Sequence, residues 1–243
     1  MEKELIINQR KIPLVVRHSA KSRHLRLQVH TDTREVHLVI PRFVLPFEVN
    51  RFVIEKTPWI EKQWEKIENQ SSIHPKPKYK SGDIFYYMGR PLELTVRPCE
   101  KKRPSVRISA DKLIIQLYHR VSEAEGVKMV KKTLEDFYRK KAEEIIHDRL
   151  EYFNEHYRFR YHRITLRNQK SRWGSCSTQK NLNFNWRLAM APVEIIDYVV
   201  VHELCHLKEM NHSASFWKLV SEACPDYKKS RKWLKENQFM LKI

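Results

Sequence analysis

Within the segment Ile195–His212, I-I-D-Y-V-V-V-H-E-L-C-H-L-K-E-M-N-H, His202 and His206 stand four residues apart, with Glu203 directly after the first. Residues at that spacing stack on one helix face, so both imidazoles point the same way and can share a metal ion. Glu203 then lies on the rim of that face, where its carboxylate can reach a metal-activated water without itself being a ligand. The run Ile195 to Val201 is apolar enough for a buried helix, and imidazoles carried into such surroundings need partners. His212 is a further candidate ligand. On an unbroken helix it would be rotated roughly 80° from the face of His202. Asn211 tolerates the left-handed conformation that ends helices, so the chain can turn there and swing His212 back, and Ser213 can cap the next helix.

Three neutral imidazoles and one water make the open tetrahedral site of catalytic zinc, one ion per chain, rather than the closed structural kind. Two core histidines satisfied by hydrogen bonds would show the same short pattern. The apolar helix around the pair and the third histidine close behind it favour the metal. Glu209, seven residues after His202, is the rival third ligand. A purely structural zinc would need a fourth protein ligand, for which Glu209, Glu222 and Cys224 are the local choices.

Four blocks extend beyond this motif: S-R-W-G-S-C-S (Ser171–Ser177), N-L-N-F-N-W-R-L (Asn181–Leu188), A-P-V-E-I-I-D-Y-V-V-V-H-E-L-C-H-L and N-H-S-A-S-F-W. In this order they resemble the YgjP-like family of metallopeptidases, related to the zincins and more distantly to SprT-like proteases. I-P-R-F-V-L-P and P-W-I-E-K-Q carry the likeness into the N-terminal half. The resemblance implies metal ligands His202, His206 and His212, with Glu203 as the catalytic carboxylate. It also implies an α+β fold with a zincin-like core of a long helix, a small sheet and the H-E-x-x-H helix. In that layout an edge strand lines the cleft and pairs with an extended peptide, and the strand from Arg172 to Ser177 is the candidate. Gly174 would allow close approach of backbone there, or mark a bulge. Tyr198 and Arg172 are candidate donors to the oxyanion.

The elements that must position these groups are legible in part. Leu25, Leu27 and Val29 alternate with Arg26, Gln28 and His30 as in a half-buried strand; Thr31-Asp32-Thr33 is a turn and Val36 to Ile40 the returning partner. Pro46 to Lys56 reads as a helix, and Thr57-Pro58 as the cap and first-turn proline of a second, through Ile67. Trp59 and Trp64 are read as packing residues. A polar segment, Asn69 to Lys80, leads to strands at 84–88, 92–96, 106–109 and 113–117. No period of 20 to 50 residues repeats. Ser122-Glu123-Ala124-Glu125 is a capping box opening a long helix to about Tyr157. Val127, Val130, Leu134, Phe137, Ala142, Ile145, Ile146 and Leu150 mark its buried stripe, and Lys128, Lys131, Lys132, Arg139, Lys140 and Lys141 its basic face. Strands at 164–166, 173–177 and 182–186 precede the motif; Phe216, Trp217 and Val220 face a core beyond it, and Lys228 to Phe239 is a last basic helix. The boundary is placed near 120, between a β-rich unit (1–120) with an embedded helical hairpin and the metal-binding domain (121–243).

The 243 residues are 41% hydrophobic and 31% charged, with a formal net charge of +18 that favours anionic partners. The four cysteines are widely spaced, as in a reducing compartment. No run approaches the roughly 20 apolar residues needed to span a membrane. The start M-E-K-E-L-I-I-N lacks the pattern of a signal peptide, so the expected location is the cytoplasm. The expected activity is a zinc-dependent metallopeptidase acting on polypeptide or another anionic substrate. Two alternatives use the same site: a metal-dependent nucleotide (UTP) pyrophosphatase, which the charge suits, and a SprT-like protease held to nucleic acid by the basic surface. Against the pyrophosphatase stand the lack of a Gly-rich phosphate loop and of clustered carboxylates for magnesium.

Overall fold

The computed structural model describes residues 2–30, 33–73, 77–169 and 172–243. Thr31 and Asp32 of the expected turn, residues 74–76 of the expected linker and Ser171 lie outside the described residues. The architecture is mixed α+β and divides into two compact units, Met1–Lys76 and Pro77–Ile243.

In the first unit, β1 (Glu2–Ile7), β2 (Arg10–Ser19), β3 (Arg26–His30) and β4 (Glu35–Pro41) form a sheet of order β1-β2-β4-β3. The expected pairing of β3 with β4 is present and antiparallel, with Leu27 opposite Leu38. One helix follows, α1 (Pro46–Ile73), where two had been expected. Pro58 lies inside it and leaves one helical carbonyl without its usual N–H, while the Thr57 hydroxyl donates to Val53 O at 3.0 Å instead of capping a new start. Ile60, Trp64 and Ile67 continue one buried stripe past the proline against Ile12, Leu14, Val36 and Leu38, and that burial offsets the break. Trp64 packs as expected; Trp59 is exposed.

The second unit opens with the same topology. Strands β5 (Ile84–Tyr87), β6 (Arg90–Cys99), β7 (Ser105–Ser109) and β8 (Lys112–Tyr118) form a sheet of order β5-β6-β8-β7. The registers agree strand by strand. Ile7 pairs with Arg10 as Tyr87 pairs with Arg90; Leu14 with Val36 as Leu94 with Leu113; Leu27 with Leu38 as Val106 with Ile115. The first turn is left-handed in both, at Asn8 and Gln9 and at Met88 and Gly89. At the start of the following helix, Leu45 N donates to Glu48 Oε2 and Ser122 N to Glu125 Oε2. The module is therefore present twice, at a spacing longer than the periods of solenoid repeats.

The second copy belongs to the second unit, with α2 and the helices after it, which moves the boundary from 120 back to Lys76. The reason is its core: Phe85, Leu92, Leu94, Leu113 and Ile115 pack in one cluster with Leu134, Tyr138, Phe184, Val200 and Leu204. The Tyr138 hydroxyl donates to Tyr86 O at 2.7 Å, and Met88 N and Gly89 N donate to Ala189 O and Met190 O.

Helix α2 (Glu123–Tyr157) carries the expected capping box and ends at Arg158 in the left-handed conformation. Its buried stripe runs Val130, Leu134, Tyr138, Ala142, Ile146, Leu150, Phe153; Val127 and Phe137 are only partly covered. On the basic face, Lys132 pairs with Asp136 and Lys141 with Glu144. Next come β9 (Arg163–Arg167), β10 (Gly174–Cys176) and β11 (Asn181–Asn185), in a sheet of order β10-β11-β9 that leaves β10 at an edge. A 3-10 turn (Trp186–Met190) leads to α3 (Val193–Cys205), α4 (Ala214–Ala223) and α5 (Tyr227–Asn237). Among the described residues no helix is long and apolar enough to cross a membrane.

Candidate active site

Helix α3 is buried along most of its length by Ile195, Ile196, Val199, Val200, Val201 and Leu204, which fixes its rotation. It ends at Cys205, earlier than expected. His206 keeps helical dihedrals and bonds to His202 O, after which Leu207 N, Lys208 N and Glu209 N turn back onto Leu204 O and Cys205 O. This tight turn, and not a left-handed Asn211, brings His212 round; Asn211 is not among the described positive-φ residues. Ser213 then caps α4, its hydroxyl accepting from Phe216 N as expected.

His202, His206 and His212 converge. His202 Nε2 lies 3.2 Å from His206 Nε2 and 3.1 Å from His212 Nε2. Zinc–nitrogen bonds of about 2.0–2.1 Å in a tetrahedron set ligand nitrogens roughly 3.3 Å apart, so the spacing fits such an ion. No other group of three His, Cys, Asp or Glu among the described residues has metal-binding geometry. His206 Nδ1 lies 3.0 Å from Glu209 O. A carbonyl only accepts, so the proton sits on Nδ1 and the Nε2 lone pair faces the centre. Glu209 thus contributes its backbone, while its carboxylate, like Glu222 and Cys224, stays outside the group. Phe216 stacks on His206 at 4.5 Å and meets His202 edge-on at 4.9 Å, and Trp217 stacks on His212 at 5.5 Å. The N-H-S-A-S-F-W run therefore supplies the third imidazole, a cap and the aromatic contacts of all three rings.

Burial disfavours the charged form of His202 and of His206. It pushes His202 down to about 3, with His206, His212 and Arg231 adding to the effect, and lowers His206 as well. A neutral imidazole is the ligating form. Burial raises the Cys205 thiol to about 12 and that of Cys224 to about 11, keeping both protonated.

Glu203 is 4% exposed, and its Oε2 has no hydrogen-bond partner. Burial raises its carboxyl to about 8 against the opposing pull of Arg172. It packs over Gly174 of β10: a Cβ built there would stand 2.5 Å from Glu203 Oε1. The close approach at Gly174 is thus to this carboxylate. A cleft of about 410 Å³ opens beside it, reached by Gly174, Tyr198, His202 and Glu203 and, from α5, by Arg231 and Lys235. Of the segment from Arg172 to Ser177 expected to line the cleft, Arg172, Trp173 and Gly174 do so and the rest of β10 does not. The Tyr198 ring meets His202 edge-on at 5.7 Å, and burial raises its hydroxyl to about 12, leaving it a proton donor.

Two contributions escaped the sequence reading. Arg149 of α2 grips Asp197 of α3 through Nε–Oδ1 at 2.5 Å and Nη2–Oδ2 at 2.9 Å, tying the long helix to the helix that carries His202 and Glu203. The available signal was an isolated carboxylate inside the apolar run before His202. Arg231 and Lys235 carried none, since basic residues four apart are common on solvated helices.

Three imidazoles beside a buried carboxylate in a mixed α+β unit make a candidate metal site. Residues 23–237 match the family model described as YgjP-like, metallopeptidase domain, and the chain belongs to that family of metallopeptidases. The crystal structure of the metallopeptidase zymogen of Pyrococcus abyssi abylysin is similar over 38% of this chain and 95% of that one, with 23% identity and a TM-score of 0.35. No curated protein matches the chain in sequence.

Proposed function

We propose that the protein is a zinc-dependent peptidase of zincin type, in which His202, His206 and His212 hold the ion and Glu203 is the general base. The convergence of three imidazole Nε2 atoms next to a buried carboxyl with one unpartnered oxygen carries this reading. When bound, the ion supplies Lewis-acid chemistry, acidifying water and polarising the scissile carbonyl. Glu203 takes the proton of the attacking water and passes it to the leaving amine. Tyr198, protonated and in the cleft, is placed to donate to the developing oxyanion, with Arg172 as a second positive group. The free edge of β10 can take an extended peptide as an added strand.

Pyrophosphatase chemistry is the less favoured use of the site. Phosphoanhydride hydrolysis commonly needs carboxylates to seat magnesium, and the only candidate metal group among the described residues is the histidine triad. The reading as a nucleic-acid-held protease has support from charge alone.

The test is Glu203→Gln. The variant should bind one equivalent of zinc and lose casein hydrolysis by about 10²–10⁴-fold. Wild-type hydrolysis at equal zinc content overturns the assignment.

A further inference from the structure

The cleft contains more positive charge than the proposed chemistry uses. Arg231 and Lys235 stand one turn apart on the face of α5 whose Leu234 is buried, and all three reach the cleft. Arg172 enters it from the segment before β10. No described carboxylate lies within 4.0 Å of any of these cations, although other basic groups on this surface, such as Lys132, Lys141 and Lys229, have acidic partners. Among the described residues the only acid lining the cleft is Glu203.

Arg231 is also held in place. Its guanidinium packs over the Trp217 ring, Cζ 5.5 Å from the centroid. Trp217 itself stacks with Tyr227 at 4.9 Å and with His212 at 5.5 Å. The aromatic column that supports a candidate metal ligand thus also aims a cation into the cleft. An arginine so fixed loses little freedom on meeting an anion, and its fork matches a carboxylate.

We propose that Arg231 and Lys235 form a carboxylate-binding subsite that selects polypeptide segments bearing Asp or Glu next to the bond to be cut. The identity of the reaction rests on the peptidase reading above; the subsite itself rests on the unpaired cations. Arg231 and Lys235 are specificity residues in this scheme, and Glu203 keeps its separate role.

The experiment measures binding without turnover. Zinc-loaded Glu203→Gln protein is titrated by fluorescence anisotropy with a labelled peptide carrying glutamates about its centre, with its glutamine counterpart, and with the glutamate peptide amidated at its C-terminus. The glutamate peptide should bind about tenfold more tightly than the glutamine one, amidated or not, and the difference should shrink as salt is raised. Arg231→Gln and Lys235→Gln should each remove most of the preference, and Arg231→Lys should retain it, at unchanged zinc content and melting temperature. Equal binding of the two peptides overturns the proposal, as does a preference that survives the double Gln variant. Loss of the preference on amidation assigns the subsite to a chain terminus and overturns the side-chain assignment. Tight binding of UTP with none of the acidic peptide overturns the polypeptide class. Hydrolysis of the same peptides by wild-type protein is scored separately: preferential binding without cleavage leaves the subsite standing and counts against the peptidase reading.

Discussion

Gly174 and Glu203 occupy each other's space: the glycine has no side chain at the point where the glutamate's carboxyl lies against the strand. The candidate general base is thereby held from behind by backbone, with one oxygen left unpartnered.

Gly174→Ala tests this directly. An added methyl carbon 2.5 Å from Oε1 forces the carboxyl to move, while the backbone there is open to alanine because Gly174 is not among the positive-φ glycines. Zinc content should stay at wild-type level while casein hydrolysis falls about 100-fold, the order of loss for a displaced catalytic group. Full activity in the alanine variant would show that Glu203 has room to spare.

The metal-free protein should show a pH signature of Glu203. Its carboxyl sits at about 8, above the ordinary 4.5, so the folded chain keeps a proton that the unfolded chain releases, and stability is lost as pH rises through that window. His202, at about 3 against 6.5, acts in the opposite sense but only below its unfolded value. Between 6.5 and about 8 the Glu203 effect is therefore unopposed by His202. Melting temperatures of chelator-treated protein should fall across this range, and Glu203→Gln should flatten the trend.

His212 is the exposed member of the triad, so its side chain contributes little to folding without metal. His212→Ala should leave the melting temperature of metal-free protein nearly unchanged and abolish most of the rise produced by adding zinc. An undiminished rise would remove His212 from the ligand set.

The Arg149–Asp197 pair anchors α3 to α2. Arg149→Met leaves a largely covered carboxylate without its fork and should cost about 2 kcal/mol in urea unfolding. Asp197→Asn together with Arg149→Met should recover part of that loss, because no uncompensated charge remains.

Phe216 is fully buried and touches the rings of His202, His206 and His212. Phe216→Ala should cost about 3–5 kcal/mol of stability. It should also weaken zinc affinity, read by competition with a chromogenic chelator, since the imidazoles lose the surface that aligns them.

The approach of His202 to His206 was legible because a four-residue spacing translates into one helix face whatever surrounds it, and Ser122 and Ser213 cap their helices through local bonds alone. What escaped reading depends on partners distant in sequence. Pro58 looked like a helix start until Ile60, Trp64 and Ile67 were seen to share a core with β2 and β4. Asn211 looked like a helix end, yet the turn closes earlier through the Cys205 carbonyl. The boundary near 120 followed a change from strands to helix, whereas Phe85, Leu94 and Ile115 are committed to the core of the helices that follow. Gly174 carried a visible signal of close approach, but only the fold reveals that the approaching group is Glu203.

The doubled module has a consequence for how the chain can be divided. The copy containing β5 to β8 is bonded to the backbone ahead of α3 at Ala189 and Met190, so it cannot be deleted without opening that core. The copy containing β1 to β4 closes a core of its own. Only the second copy shares a core with the helix that carries His202 and Glu203. The smallest self-sufficient enzyme should begin at Pro77, which zinc binding and peptide cleavage by residues 77–243 would reveal.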